Sequence, residues 1–106
     1  RLLLGAGVDK DAAENNGATP LYIASHNGHE GTVRLLLGAG ANKDAAENDG
    51  CTPLHAASLN GHEGTVRLLL GAGADKDAAA NNGATPLLIA SVQGHEGTVR
   101  LLLGAG

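Results

Sequence analysis

The sequence is poor in the side chains that usually fill a globular core. It contains no tryptophan, phenylalanine or methionine, and Tyr22 is its single tyrosine in 106 residues. Leucine, isoleucine, valine and alanine must therefore do the packing, which suits thin layers of short helices better than one compact core. Cys51 is the single cysteine, which excludes an internal disulfide and favours a reducing, intracellular and most simply cytoplasmic setting.

Charged residues are also few, and their balance is acidic. Lysine and arginine number 7 and aspartate and glutamate 11, giving a net charge of −4. Because nucleic-acid binding needs a basic stripe, we expect no nucleic-acid partner. No apolar run approaches the roughly 20 residues of a membrane-spanning helix, so we expect no membrane insertion. No signal peptide is visible, and a first residue of Arg1 instead of methionine suggests that the sequence was cut from a longer one.

Repetition is the strongest feature of the sequence. The heptapeptide Arg-Leu-Leu-Leu-Gly-Ala-Gly recurs every 33 residues, and 24 of the 33 columns are identical in three consecutive copies. A fixed period of this length is typical of a stacked array in which each unit covers the apolar face of the next. We expect one domain, divided into a partial helix at 1–4, repeats at 5–37, 38–70 and 71–103, and the start of a further finger at 104–106.

Each copy contains the signals for two short helices. Thr19-Pro20 predicts a helix start, because threonine caps the backbone and proline fits the first helical position, and Gly28 predicts the end of that helix. A second helix is predicted over about 30–37, ended by the Gly-Ala-Gly that follows. The polar residues 41–50 then form an extended finger. The pattern therefore predicts an all-α solenoid of stacked helix-turn-helix repeats with β-turn and finger loops.

The apolar columns identify the expected core, and the charged columns the expected surface. Glu30 and Arg34 should form a weak exposed pair of about 0.3 kcal/mol. The core should contain Leu21, Ile23, Val33, Leu36 and Leu37, each packed on its equivalent one period on. Solvated charge ladders between units are predicted from the alternating signs of Asp9, Lys10, Asp11, Lys43, Asp44, Asp75, Lys76 and Asp77.

The copies resemble the ankyrin repeat family. The middle copy fits the pattern best, with Gly50-Cys51-Thr52-Pro53-Leu54-His55-Ala56-Ala57, then Gly61-His62, Val66 and Leu69-Leu70. The first copy matches with Ala18-Thr19-Pro20-Leu21, Gly28-His29, Val33, Leu36-Leu37 and Gly40. The resemblance covers the whole chain. It implies an ankyrin-type α-solenoid that acts in protein–protein recognition, with no enzymatic activity and no cofactor.

The copies also depart from the family pattern. The signature histidine is present only as His55, with Tyr22 and Leu88 in its place, so copies one and three are expected to lack a polar tie near the threonine hydroxyl. Each second helix contains a glycine, Gly31 in the first copy, which costs about 1 kcal/mol relative to alanine. Such glycines favour a natural sequence with recent internal duplication, and a designed sequence is the alternative.

The resemblance implies a binding surface on the concave side, built from the fingers and the first helices. Most of its presumed columns are among the nine that vary between copies, and the column of Glu14, Glu47 and Ala80 varies nearby. Drift at exposed positions would produce the same pattern. The expected anchors of a partner on this surface are Tyr22, His26, Leu59 and Val92. Because these anchors are few, the affinity should be weak, or the main binding site should lie in repeats that are missing here. The candidate partner-binding residues are Asn16, Ala18, Tyr22, His26, Asn27, Asp49, Cys51, His55, Leu59, Asn60, Asn82, Ala84, Leu88, Val92 and Gln93.

No motif predicts catalysis, a cofactor or a metal site. The Gly-Ala-Gly at 5–7 lacks the third glycine of a dinucleotide-binding loop. His29 and its copies, which the resemblance implies bond to backbone between units, lie about 10 Å apart in a stack and cannot share a zinc ion. His26, His29 and Glu30 form the only local cluster with ligand chemistry. Cys51 should be an exposed thiol at a finger tip, able to link two molecules.

The two ends of the sequence carry leucine triplets that a stacked neighbour would cover, at 2–4 and 101–103. The sequence therefore predicts either an excerpt of a longer array or end-to-end self-association, which would run on as a filament. The expected partner is otherwise a protein whose identity the sequence does not indicate. A structural spacer or an engineered scaffold without a natural ligand is the alternative function.

Overall fold

The computed structural model describes residues 9–105, which form six α-helices arranged as three consecutive pairs. The described residues contain no β-strand and extend over 39 × 24 × 21 Å. The all-α solenoid predicted from the repeat is confirmed, while the predicted partial helix at 1–4 lies outside the described residues. The helices are α1 Pro20–Asn27, α2 Glu30–Gly38, α3 Pro53–Leu59, α4 Glu63–Gly71, α5 Pro86–Gln93 and α6 Glu96–Gly104.

The first helix of each pair begins as the Thr-Pro signal predicts. Thr19 is extended, and its hydroxyl oxygen accepts a hydrogen bond from the Tyr22 N–H at 3.2 Å. Pro20 follows at the start of the helix, and Gly28 ends α1 in the left-handed region at φ 71°. Equivalent threonine caps begin α3 and α5.

The second helix of each pair runs one residue further than predicted. α2 ends at Gly38, and the Ala39 N–H still bonds to carbonyls of the last turn. Gly40 then turns the chain at φ 85°, a conformation that glycine adopts without strain. The same extension places Gly104 in α6.

The core forms where equivalent apolar residues of successive pairs stack. Ile23, which was predicted to be buried, is 36% exposed, whereas its equivalent Ala56 is 2% exposed. The difference arises because α3 lies between α1 and α5, so both of its sides are covered. Leu36 is buried and Leu37 is half-buried. Complete or nearly complete burial is shared by Leu21, Val33, Leu54, Val66 and Leu69.

A histidine joins each pair to the preceding one. The His62 Nε2–H donates to the His26 carbonyl at 3.0 Å, and the His95 Nε2–H donates to the Leu59 carbonyl at the same distance. The expected bonds from these histidines to backbone of the neighbouring unit are thus confirmed. The ring of His62 lies so close to Gly28 that a Cβ there would meet Nδ1 at 2.6 Å. Gly28 is therefore required by this close approach as well as by its positive φ.

A glutamate fills the space beside the glycine in the following second helix. The carboxylate of Glu30 lies where a Cβ on Gly64 would be, and Glu63 occupies the same place at Gly97. Both glycines lie in the first turn of their helices, so each carboxylate is next to the positive end of a helix dipole. The glycine that weakens each helix makes room for contact between units.

The fingers are tied together by backbone and asparagine hydrogen bonds. The Asn48 N–H donates to the Asn16 carbonyl at 2.8 Å, and the Asn81 N–H donates to the Asp49 carbonyl at 2.9 Å. The side-chain amides of Asn48 and Asn81 each donate to a carbonyl one period earlier. The fingers therefore form a continuous row across the three units.

The prediction that lysines and aspartates of neighbouring units form charge ladders is wrong about which groups pair. The Lys10–Asp11 ion pair joins sequence neighbours at 3.9 Å, and the third unit has the equivalent pair. Between units, the Asp11 carboxylate accepts from the Asn42 N–H at 2.9 Å, and the Asp44 carboxylate accepts from the Asp75 N–H at 2.8 Å. These carboxylates satisfy backbone donors of the next finger, which fixes the spacing of the units.

Candidate functional site

The candidate surface, called the finger surface below, consists of the finger tips at 14–18, 47–51 and 80–84 and the outward side chains of α1, α3 and α5. These helices pack directly on one another, α1 on α3 and α3 on α5. The finger surface therefore continues across all three pairs. Its exposed apolar side chains include Leu59, Leu88 and Val92, at 39%, 53% and 72% exposure.

In the first pair, Tyr22 and His26 lie one helical turn apart on α1. Their rings stack with centroids 6.4 Å apart and planes inclined by 26°. A depression of about 290 Å³ opens beside the two rings, and its lining includes Glu14, Asn16 and Ile23. Concave sites with an apolar wall and a few polar groups are where ligand groups usually bind. This depression is large enough for one side chain of a partner.

The second finger brings carboxylates close to Tyr22. Burial, followed by the charges of Glu47, Cys51 and Asp49, raises the pKa of Tyr22 from 10.0 to about 12. Burial also raises the pKa of the Cys51 thiol, with further contributions from Glu47 and Asp49. Cys51 is half-buried, so it differs from the exposed thiol that was expected. A protonated, partly covered thiol is a poor nucleophile.

Glu47 is held in position by its own finger. One of its carboxylate oxygens accepts hydrogen bonds from the Asp49 and Cys51 N–H groups, both at 2.8 Å. The third finger has alanine at the glutamate position, and there the Asn82 side chain accepts from the Ala84 N–H at 3.0 Å. The Glu47 charge is therefore fixed in the second finger.

Two of the candidate residues are too buried to contact a partner through their side chains. Ala18 is 2% exposed and His55 is 1% exposed. The His55 Nδ1 accepts from the Thr52 N–H at 3.0 Å, and its Nε2–H donates to the Ala84 carbonyl at 2.8 Å. His55 thus links α3 to the third finger. The other two copies lack this histidine and keep the threonine cap.

Several amide candidates already take part in hydrogen bonds that hold the fold. The Asn27 side chain donates within its own helix, and the Asn60 side chain donates to the His26 carbonyl. Asn16 and Asn82 accept from backbone N–H groups of their own fingers. The exposed polar candidates are Asn16, His26, Asn27, Asp49, Asn60, Asn82 and Gln93.

Metal binding has no support in the part of the chain that the structure describes. Between residues 9 and 105, no group of three or more His, Cys, Asp or Glu side chains is placed to hold a metal ion. His26, His29 and Glu30 do not form such a group. Over the same residues, no helix is both long and apolar enough to cross a bilayer.

Comparison with known protein families supports the resemblance seen in the sequence. A family model described as ankyrin repeats in three copies matches residues 1–80, and a model for a single ankyrin repeat matches residues 82–106. The chain belongs to the ankyrin repeat family. A search of the curated proteins found no match.

In this ankyrin repeat protein, the finger surface contains two residues that the candidate list omitted. Glu14 lines the depression beside Tyr22, and Glu47 fixes the second finger. Their column, which ends in Ala80, varies between copies, and that variation was the signal available in the sequence. Ankyrin repeats generally serve as protein–protein interaction modules.

Proposed function

We propose that the chain is a recognition module that binds a segment of a partner protein through the finger surface. The observation that carries the proposal is the exposure of Leu59, Leu88 and Val92 on a surface that also presents the stacked rings of Tyr22 and His26. Aromatic and apolar side chains surrounded by polar groups are the usual anchors of a protein interface.

The support beneath this surface favours binding with little rearrangement. His55 ties α3 to the third finger, and the asparagine bonds join the fingers to one another. A preorganised surface loses less conformational entropy on binding, which favours affinity. With one tyrosine and no tryptophan among the anchors, we expect binding in the micromolar range.

A displayed library of short random peptides, selected on the folded chain, tests this proposal. Selected peptides should shift the backbone amide resonances of the finger surface. Their affinity should fall by about tenfold or more on the double variant Leu59→Ser/Val92→Ser. The matched control is Leu35→Ser, which removes a leucine that is 65% exposed on α2 and should leave binding unchanged. Peptides that map to the second helices, or that bind both variants equally, would contradict the proposal.

End-to-end self-association is a second candidate function, favoured by the outer face of the third pair. Ser91 is exposed and Val99 is half-buried, whereas their equivalents Ser58 and Val66 are fully buried between pairs. The third pair thus presents part of a face that forms a junction elsewhere in the array. Stacked copies would sediment faster as the concentration rises, and Val99→Glu should abolish that rise. A constant monomer coefficient would exclude this candidate.

A further inference from the structure

The charges of the array are separated by region. The second helices are balanced, because each carries one glutamate and one arginine. Arg34 lies 4.0 Å from Glu30, and Arg100 lies 3.6 Å from Glu96. The lysines lie in the finger bases, which are residues 9–11, 42–44 and 75–77 and also contain aspartates. The aliphatic stem of Lys10 lies against the glycine turn after α2, and its ammonium group pairs with Asp11. Positive charge is therefore kept at the second helices and the finger bases.

The tips of the first two fingers carry carboxylates without such compensation. Glu14, Glu47 and Asp49 are the charged residues of the tips, and every ion pair found between residues 9 and 105 lies elsewhere. Glu47 and Asp49 act on Tyr22, whose pKa is raised first by burial and then by the charges of the second finger. Glu47 cannot swing away without losing its two bonds to finger N–H groups. The result is a fixed negative region beside an aromatic ring.

The third pair offers a different surface. The glutamate column ends in Ala80, and Leu88 and Val92 stand where the first pair has its two rings. A depression of about 270 Å³ lies between the second and third finger tips, and its lining includes Asp49, Cys51 and Asn82. Along the array, the finger surface thus changes from acidic and aromatic to apolar.

Resting on the proposed function, we propose that the partner is an extended protein segment that carries a basic side chain followed or preceded by an apolar one. The basic side chain lies against Tyr22 and the carboxylates of Glu47 and Asp49. The apolar side chain packs on Leu88 and Val92.

Arginine suits the acidic region better than lysine. Its planar guanidinium stacks on an aromatic face and also forms paired hydrogen bonds with a carboxylate. Stacked helices lie about 8–10 Å apart, and an extended chain advances about 3.3 Å per residue. The basic side chain lies between the first and second pairs, about one and a half helix spacings or roughly 12–15 Å from the third pair, so the two side chains should be separated by about four residues. An acidic or uncharged segment would cover the fixed carboxylates without supplying an opposite charge, which is costly.

Fluorescence anisotropy with synthetic peptides tests this assignment on the intact chain. The first probe is a labelled glycine-serine peptide that carries two adjacent arginines and, about four residues later, one leucine. One comparison peptide has glutamates in place of the arginines, and another has serine in place of the leucine. The arginine-leucine peptide should bind about tenfold or more tightly than either of the others, and higher salt should weaken it. Equal binding of the arginine and glutamate peptides would overturn the proposal.

Two variants with the same net charge test whether the preference for arginine comes from the finger tips. The tip variant is Glu14→Gln/Glu47→Gln/Asp49→Asn, and the control variant is Glu30→Gln/Glu63→Gln/Glu96→Gln in the second helices. Each removes three negative charges, so a difference between them reflects position alone. The arginine-leucine peptide should lose about tenfold in affinity on the tip variant and less than about twofold on the control. Equal losses would mean that only net charge matters and would overturn the proposal.

These experiments distinguish a failure of this inference from a failure of the proposed function. Glutamine and asparagine keep an acceptor oxygen for the finger N–H groups, and the peptide comparison on the unaltered chain does not depend on any variant folding. If selected peptides map to the finger surface but show no preference for a basic residue, the proposed function stands and this inference fails. If no peptide maps to the finger surface, both fail.

Discussion

The carboxylate of Glu30 occupies the position that a β-carbon on Gly64 would need. At the equivalent Gly31 in the first pair, no atom of residues 9–105 outside its own helix lies within 4 Å of such a carbon. One repeated glycine therefore has two different surroundings in the same chain, which allows its packing role to be separated from its effect on helix formation.

Gly31→Ala should raise the free energy of unfolding by about 0.5–1 kcal/mol, because alanine favours the helix. Gly64→Ala should gain less, since its methyl group must displace the Glu30 carboxylate. Urea unfolding of the two variants beside the wild type measures the difference. Equal gains would show that Glu30 moves aside at no cost.

His55→Leu should lower the free energy of unfolding by about 2–3 kcal/mol, because it removes the bonds to Thr52 and to the Ala84 carbonyl from a buried site. Leucine is the natural residue of this column in the third copy, so the substitution suits the helix. Leu88→Ala, at an exposed position of the same column, is the control and should cost less than about 1 kcal/mol. Chemical denaturation measures both, and similar losses would contradict a special role for His55.

Tyr22 should make the stability of the fold depend on pH in the alkaline range. Its pKa is about 12 in the folded chain, above its ordinary value of 10.0, so the folded state retains the phenol proton when the unfolded state has lost it. The contribution of Tyr22 is fully present below pH 10 and is lost as the pH rises towards 12.

Phenolate absorbance reports this titration directly, because Tyr22 is the single tyrosine and tryptophan is absent. Unfolding measured at several alkaline pH values should show a steeper fall for the wild type than for Tyr22→Phe, which retains the lysine titrations. A phenol that titrates at its ordinary pKa in the folded chain would refute the prediction.

Thr65→Val should stabilise the chain by about 1 kcal/mol. The Thr65 hydroxyl is buried and has no hydrogen-bond partner among the described residues, so a methyl group of similar size removes an unfavourable burial. Thr32→Val, at the exposed equivalent position, should change stability by less than about 0.5 kcal/mol. Thermal and urea unfolding measure both variants. A loss of stability in Thr65→Val would show that the hydroxyl is needed where it lies.

The local signals of the sequence predicted most of the helices. Thr19 and Pro20 marked the start of α1, and Gly28 its end, because caps and turns depend on a few neighbouring residues. The 33-residue period predicted the stacking, because each unit can cover its apolar face only by packing on the next unit. The extra residue at Gly38 was missed because helix ends vary by one or two residues.

Contacts between units were harder to predict. Whether Ile23 is buried depends on which side of α1 is covered, and the contact of Glu30 with Gly64 depends on the offset of one unit against the next. Neither is encoded in a local pattern. On the finger surface, Ala18 and His55 were predicted to contact a partner because their columns vary, although both are buried. Variation in a column does not distinguish a side chain that faces solvent from one that faces the neighbouring unit.

The histidine-to-carbonyl bond and the glutamate-to-glycine contact occur in the same form at both junctions of the described array. Any unit that keeps these few residues can follow any other. Unequal crossing-over that duplicates or deletes one unit would therefore yield a protein whose existing joints still fit. Lineages carrying such arrays can change the length of the finger surface by whole units, while point mutation changes the side chains at the finger tips.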